Sequence, residues 1–362
     1  MSGTAEREAL REHISLFDHA MRLHRQTPDA PLPQDGEPYP DHELHRGERP
    51  RRARDQRHVG LDVAAVLDEH FADPVAPPSV LTWAFHDLHV PIHPNEHITA
   101  AAFRADRDRV RRTGRWLVRR SPDRCSATVG LALLAADWHD GDIPLVQTIG
   151  LLSERFGPLA ARALRRRRNG SQALLWLAER ADGWGRVYLV EALCETGAGR
   201  DWLLRHACDG HFLNGYYAGK VATAAHLQEA ITADEADDEL IDHTGRLLSI
   251  LGQCSGMGMT LERYPPARIV LDAFVRHLGR QQPSLRRYLY AANIADHLAQ
   301  GAPANIGCTD LEHRQLVDRY LSVLNSDDWC TTVRAEADPD SDQIAWFTDT
   351  IAERLQLRAF QS

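Results

Sequence analysis

Apolar residues along this chain of 362 residues recur every three or four positions and not every second one. Near the start, Leu10, Ile14, Phe17 and Met21 fall four, three and four apart, which predicts one apolar helical face over 6–24. The pattern then lapses. The stretch 27–58 carries five prolines before Pro50, many charged residues and almost no aliphatic ones. It cannot bury enough surface to offset its ordering entropy, and it reads as a mobile linker. A helix from about Leu61 to Phe71 follows, and Pro74, Pro77 and Pro78 interrupt the chain again. From Ser79 onward, helical spacing dominates over 98–119, 126–137, 143–155, 158–167, 171–181, 185–195, 200–208, 214–225, 236–252, 267–279, 284–299, 309–325 and 342–357. Breaks fall at glycine and proline, Gly157-Pro158, Gly183, Gly210 and Pro265-Pro266 among them. No run alternates with period two, so the expected class is all-α.

Within this pattern one unit is written twice. Ala163-Leu164, the Leu174–Leu177 run and Asp182-Gly183 are followed by Ala192-Leu193, Trp202-Leu203-Leu204 and Asp209-Gly210. The Asp-Gly pairs are 27 residues apart and the Ala-Leu pairs 29 apart. Many of the helices would be marginal alone, but stacked as hairpins they share a core. The expected architecture is an α-solenoid of antiparallel helical hairpins. Its parts are an N-terminal helix (1–26), the linker (27–59), a helical cap with a histidine-rich loop (60–125), a repeat array (126–300) and a C-terminal helical cap (301–362).

The residues Asp182-Gly183-Trp184-Gly185-Arg186-Val187 through Glu191-Ala192-Leu193 resemble the second half of a HEAT repeat, and Arg200 to Gly210 resembles the next helix and turn. The resemblance is clear over 157–225 and extends over 126–300. It implies a HEAT-like, armadillo-like protein, of actinobacterial type given that Lys220 is the only lysine among the basic residues. In such a fold the turn Asp caps a helix and the Arg bridges neighbouring repeats through a carboxylate. The unit is shorter than the usual HEAT length, and after Asp209 the Arg-Val pair is missing. The family implies binding along a concave face more than any reaction. It also includes DNA glycosylases that handle alkylated bases, whose aromatic-plus-Asp site would here fall on Trp176, Trp184, Trp202 and Asp182.

Charge and composition narrow the function. A net charge of −9 argues against a general polyanion binder but leaves room for local basic patches. No apolar run is long enough for a transmembrane helix, and the charged N-terminus lacks the apolar core of a signal peptide. Six scattered cysteines without a C-x-x-C pair suggest reduced thiols in the cytoplasm. Residues 104–124 hold nine arginines against three acids, while 229–242 hold seven acids and no base.

Three readings of function follow. The leading one is a non-enzymatic cytoplasmic scaffold that binds a protein partner on the concave face of 157–264, through Arg186, His211, Asn214, Tyr217 and Lys220. The second is nucleic-acid binding, with base repair as one form of it, through Arg111, Arg112, Arg115, Arg119, Arg165 and Arg166. The third is a divalent-metal enzyme using His86, His89, His93 and His97, four imidazoles in twelve residues with spacings of three and four. Apart from that metal, no cofactor is expected. The glycine-rich run Gly252 to Thr260 follows a helix and matches no phosphate-binding pattern, so it reads as an inter-repeat turn.

Overall fold

The computed structural model describes residues 14–45, 56–254 and 256–361. Helices and turns make up the described residues, with no strand among them. The fold is all-α. The chain divides into two compact units, Met1–Gly199 and Arg200–Ser362. That division falls inside the span expected as one array, 126–300. No helix among the described residues is long and apolar enough to cross a membrane.

In the first unit the helix Arg107–Arg120 packs on Arg124–Ala136, Ile143–Gly150 on Ser153–Arg165, and Gly170–Ala178 on Gly183–Cys194. The second members of these pairs also touch in succession: Arg124–Ala136 lies on Ser153–Arg165, which lies on Gly183–Cys194. Close approach of the last two depends on Gly185, where an added Cβ would sit 2.0 Å from Ser153 Oγ. Side-chain caps set many of the helix starts: Asn95, Asp106, Asp123 and Asp182 each accept a backbone N–H there. Asp106 also splits the expected helix 98–119 into Glu96–Arg104 and Arg107–Arg120. Pro158, expected to end a helix, lies inside Ser153–Arg165. Burial of Phe156, Leu159, Ala160, Ala163 and Leu164 on that helix offsets a proline cost of about 3 kcal/mol.

The N-terminal helix spans Leu16–Gln26 and buries Leu16, His19 and Ala20. The face expected from Ile14, Phe17 and Met21 is one step away, with Ile14 exposed; Leu10 lies outside the described residues. The mobile linker expected over 27–59 does not describe residues 27–45, which fold onto the first unit. They form short turns at Pro33–Gly36 and His42–Leu44, and Leu32, Tyr39 and Asp41 are buried. Few aliphatics are needed because this segment is held by polar contacts. His19 Nε2 donates to the Gly36 carbonyl at 2.7 Å. Asp35 Oδ1 accepts from the Ser153 amide and hydroxyl, each at 2.7 Å, and Oδ2 from the Glu154 amide at 2.9 Å. Asp35 thus caps the Ser153–Arg165 helix from a distant part of the sequence, where that helix has no cap of its own.

In the second unit Asp238–Gln253 packs on Leu285–Gln300, which packs on Asp310–Leu324; Ala267–Leu278 lies on Leu227–Thr232 and on Asp310–Leu324. Arginine–carboxylate bridges join elements here, Arg205 to Asp237 at 2.7 Å, Arg287 to Asp242 at 2.6 Å and Arg354 to Asp296 at 2.8 Å. The cysteines form no disulfide; Cys125, Cys208, Cys254 and Cys330 are buried.

Candidate functional site

Two places in the first unit concentrate chemistry. The first is a polar centre beneath the 37–45 segment. Asp123 caps the helix Arg124–Ala136, its Oδ2 accepting from the Ser126 amide at 2.8 Å. Its Oδ1 turns the other way, 3.0 Å from His86 Nδ1 and 3.3 Å from His45 Nε2. His45 Nε2 is also 3.3 Å from Asp41 Oδ2. Asp41 in turn accepts from Arg124, at 2.6 Å from its amide and 2.9 Å from its Nε. The Arg124 guanidinium lies over the Tyr39 ring at 4.8 Å. Both carboxylates are fully buried.

Burial would raise the Asp41 carboxyl, but hydrogen bonds from His45 and Arg124 outweigh it and hold the group below its ordinary range. Asp123 is held well below that range in the same way, by His45, His86 and the Ser126 amide acting against burial. Asp35 shows the reverse: burial pushes its carboxyl up to about 6, and its hydrogen bonds from Ser153 and Glu154 only partly oppose this. Cys125 completes the centre. One donor atom each of His45, Asp123 and Cys125 lie within 4.8 Å of one another, a set whose chemistry suits a metal ion.

The second place is an open groove of about 430 Å³ between the helices Glu96–Arg104, Arg124–Ala136 and Ser153–Arg165. Its floor is small and apolar, Ala100, Ala132, Ala135 and Leu159, and Phe103 stands in it 61 % exposed. Arg162 and Arg166 line one side. Neither has a carboxylate within 4.0 Å among the described residues; Arg166 donates to the Ala135 carbonyl at 3.3 Å. Burial and the neighbouring Arg162 hold the Arg166 guanidinium below its ordinary range. The Trp138 ring, 48 % exposed, lies between Arg107 at 4.2 Å and Arg166 at 5.4 Å.

Few of the residues singled out from the sequence meet as expected. The four histidines of 86–97 do not converge on one ion. His86 reaches Asp123, His93 packs edge-on against Tyr188 at 5.2 Å, His97 Nε2 donates to the Arg57 carbonyl at 2.9 Å, and His89 is exposed. Pro91 and Pro94 break the loop, so helical spacing never aligns the four rings. His45 had been hidden in the supposed linker, and Asp123 and Cys125 in an arginine-rich run. A histidine and an aspartate in a segment too polar to fold on its own was the one available signal.

Two of the five expected partner contacts lie away from the surface. Tyr217 and Asn214 are buried: Asn214 Nδ2 donates to the Tyr217 hydroxyl at 2.7 Å, and that hydroxyl donates to the Ala207 carbonyl at 3.1 Å. His211 and Lys220 are exposed in the second unit, while Arg186 is half-buried in the first. Arg186 Nη1 reaches the Ala178 carbonyl at 3.4 Å.

Three of the six arginines singled out are paired with carboxylates where they stand. Arg111 pairs with Asp137 at 2.6 Å, Arg115 with Asp142 at 2.5 Å, and Arg165 with Glu195. Arg119 lies over Phe17 at 6.0 Å, and Arg112 is exposed. The Arg180 guanidinium lies over the Trp176 ring at 4.5 Å and Trp184 stacks with Tyr188 at 6.1 Å in the first unit, and Trp202 belongs to the second. In the second unit the glycine-rich run packs against 215–219, where Cys254 Sγ donates to the Gly215 carbonyl at 3.0 Å. Beside it the His297 Nε2–Glu262 Oε1 pair, at 2.9 Å, lines a shallow groove of about 570 Å³.

No family model matches the chain, and no curated protein or solved structure is significantly similar to it.

Proposed function

We propose that this chain is a HEAT-like helical scaffold of the cytoplasm whose first unit stacks its hairpins as a short α-solenoid and binds an acidic, partly apolar segment of a protein partner. The observation that carries this reading is the groove at Phe103: an exposed aromatic ring over an alanine floor, flanked by two arginines that lack carboxylate partners. Aromatic and arginine side chains are the favoured anchors of protein interfaces. An apolar floor with unpaired positive charge at its edge is complementary to a segment that offers one or two apolar residues beside Asp or Glu. The stacked second helices of successive hairpins are the surface that helical-repeat proteins use for such contacts.

Selection of displayed peptides against the purified full chain tests the proposal. Enriched peptides should combine apolar residues with acidic ones and bind on the order of tenfold more weakly to Phe103→Ala and to the double variant Arg162→Glu, Arg166→Glu. Absence of enrichment, or enriched peptides that bind all variants alike, would overturn it.

A further inference from the structure

We propose that the polar centre of the first unit is a divalent transition-metal site, for zinc by its ligand chemistry, formed by His45, Asp123 and Cys125 with His86 beside them as fourth donor. Imidazole, carboxylate and thiolate are the ligand types zinc takes. They come here from three separated places in the chain: the 37–45 segment, the loop before Val90, and the first turn of the helix Arg124–Ala136.

The distances fit. Ligands bound at 2.0–2.3 Å around a tetrahedral zinc lie about 3.3–3.7 Å from one another. His45 Nε2 and Asp123 Oδ1 are already 3.3 Å apart, and His86 Nδ1 is 3.0 Å from the same oxygen. The His45 and His86 rings lie 4.6 Å apart, centroid to centroid. The Cys125 sulfur, within 4.8 Å of its two co-ligands, has to close by about 1 Å on binding.

The centre gathers two carboxylates around one ring nitrogen. His45 Nε2 has one proton at most, yet two buried carboxylate oxygens, Asp41 Oδ2 and Asp123 Oδ1, face it at 3.3 Å each. Both distances are longer than a good N–H···O bond. Arg124 compensates Asp41, and the charge of Asp123 is left to the imidazoles. A divalent ion held by Asp123 and the Cys125 thiolate is neutralised by them, and the Ser126 amide on Oδ2 orients the ligating carboxylate. One nearby group acts against a cation: Arg155 Nη2 is 3.9 Å from Cys125 Sγ, its Nε being held by Thr128 Oγ1 at 3.2 Å. The two anionic ligands must outweigh it.

Titration of the reduced full-length chain with Co²⁺ reads this directly. The expected result is one bound equivalent with intense tetrahedral absorption and a thiolate-to-cobalt charge-transfer band. Cys125→Ser should abolish that band. Asp123→Asn, which still caps the helix and so keeps the fold, should weaken binding on the order of tenfold or more. His89→Gln, outside the centre, should bind as the wild type does. Absence of binding, binding without the charge-transfer band, or variants of Cys125 and Asp123 that titrate like the wild type would each overturn the proposal.

Discussion

Two buried polar groupings, one in each unit, are built differently. In the second unit, Tyr217 and Asn214 bond to each other and to a backbone carbonyl. The Asn214 Oδ1 also accepts from the Gly210 amide at 2.9 Å, so these contacts are between neutral groups. In the first unit, Asp41 and Asp123 are buried to the same degree, but they face two imidazoles, one guanidinium and a nearby sulfur. Two anions converge on one nitrogen there. A neutral pair needs no counter-charge, whereas buried carboxylates stay ionised only with charged or donating partners.

The largest effect that sharpens this contrast is structural. Tyr217→Ala should lower the unfolding free energy by about 4 kcal/mol in urea denaturation, as loss of a fully buried ring does. A change near zero would return Tyr217 to the role of surface contact. Asp123→Ala, measured in the presence of chelator, should cost about 3 kcal/mol at neutral pH, since it removes a helix cap and leaves His45 and His86 without their shared acceptor.

Much of the architecture was legible from the sequence, and the reason is physical. Helix boundaries follow from local signals such as Asp106, Asp123 and Asp182 at N-caps, and from three- and four-residue apolar spacing. The polar centre was not legible, because His86 and His45 lie 37 and 78 residues from Asp123, and only tertiary folding brings them to it. The segment holding His45 lacks apolar residues and so gave the signature of a linker. Its order comes instead from Asp35 and Asp41, which find orphan amides at two helix starts. Asn214 and Tyr217 misled for the opposite reason: residue types common at interfaces also close buried networks, and sequence alone does not separate the two uses.

The two classes of buried aspartate should also separate by pH. The Asp35 carboxyl is raised to about 6 from 3.8, so the stability tied to its protonated form is complete below about 4 and is lost as pH rises through 6. The size is about 2 to 3 kcal/mol. Asp123 is lowered, so its contribution is present at neutral pH and is lost as pH falls below the ordinary carboxylate range. Denaturation of chelated protein from pH 4 to 7 should show the first limb in the wild type and not in Asp35→Ala. A limb that survives in Asp35→Ala would assign it elsewhere. The smallest expected change is Phe103→Ala, below about 0.5 kcal/mol in stability because the ring is exposed. A larger loss would make Phe103 a packing residue and weaken the groove as a docking site.

The contrast between a neutral pair and a charged cluster is tested most directly by zinc-edge X-ray absorption on the reduced chain loaded with one equivalent of zinc. The account predicts a four-coordinate first shell with one sulfur at about 2.3 Å and the remaining ligands nitrogen or oxygen at about 2.0–2.2 Å. A shell of nitrogen and oxygen only, or a chain that retains no zinc, would contradict it.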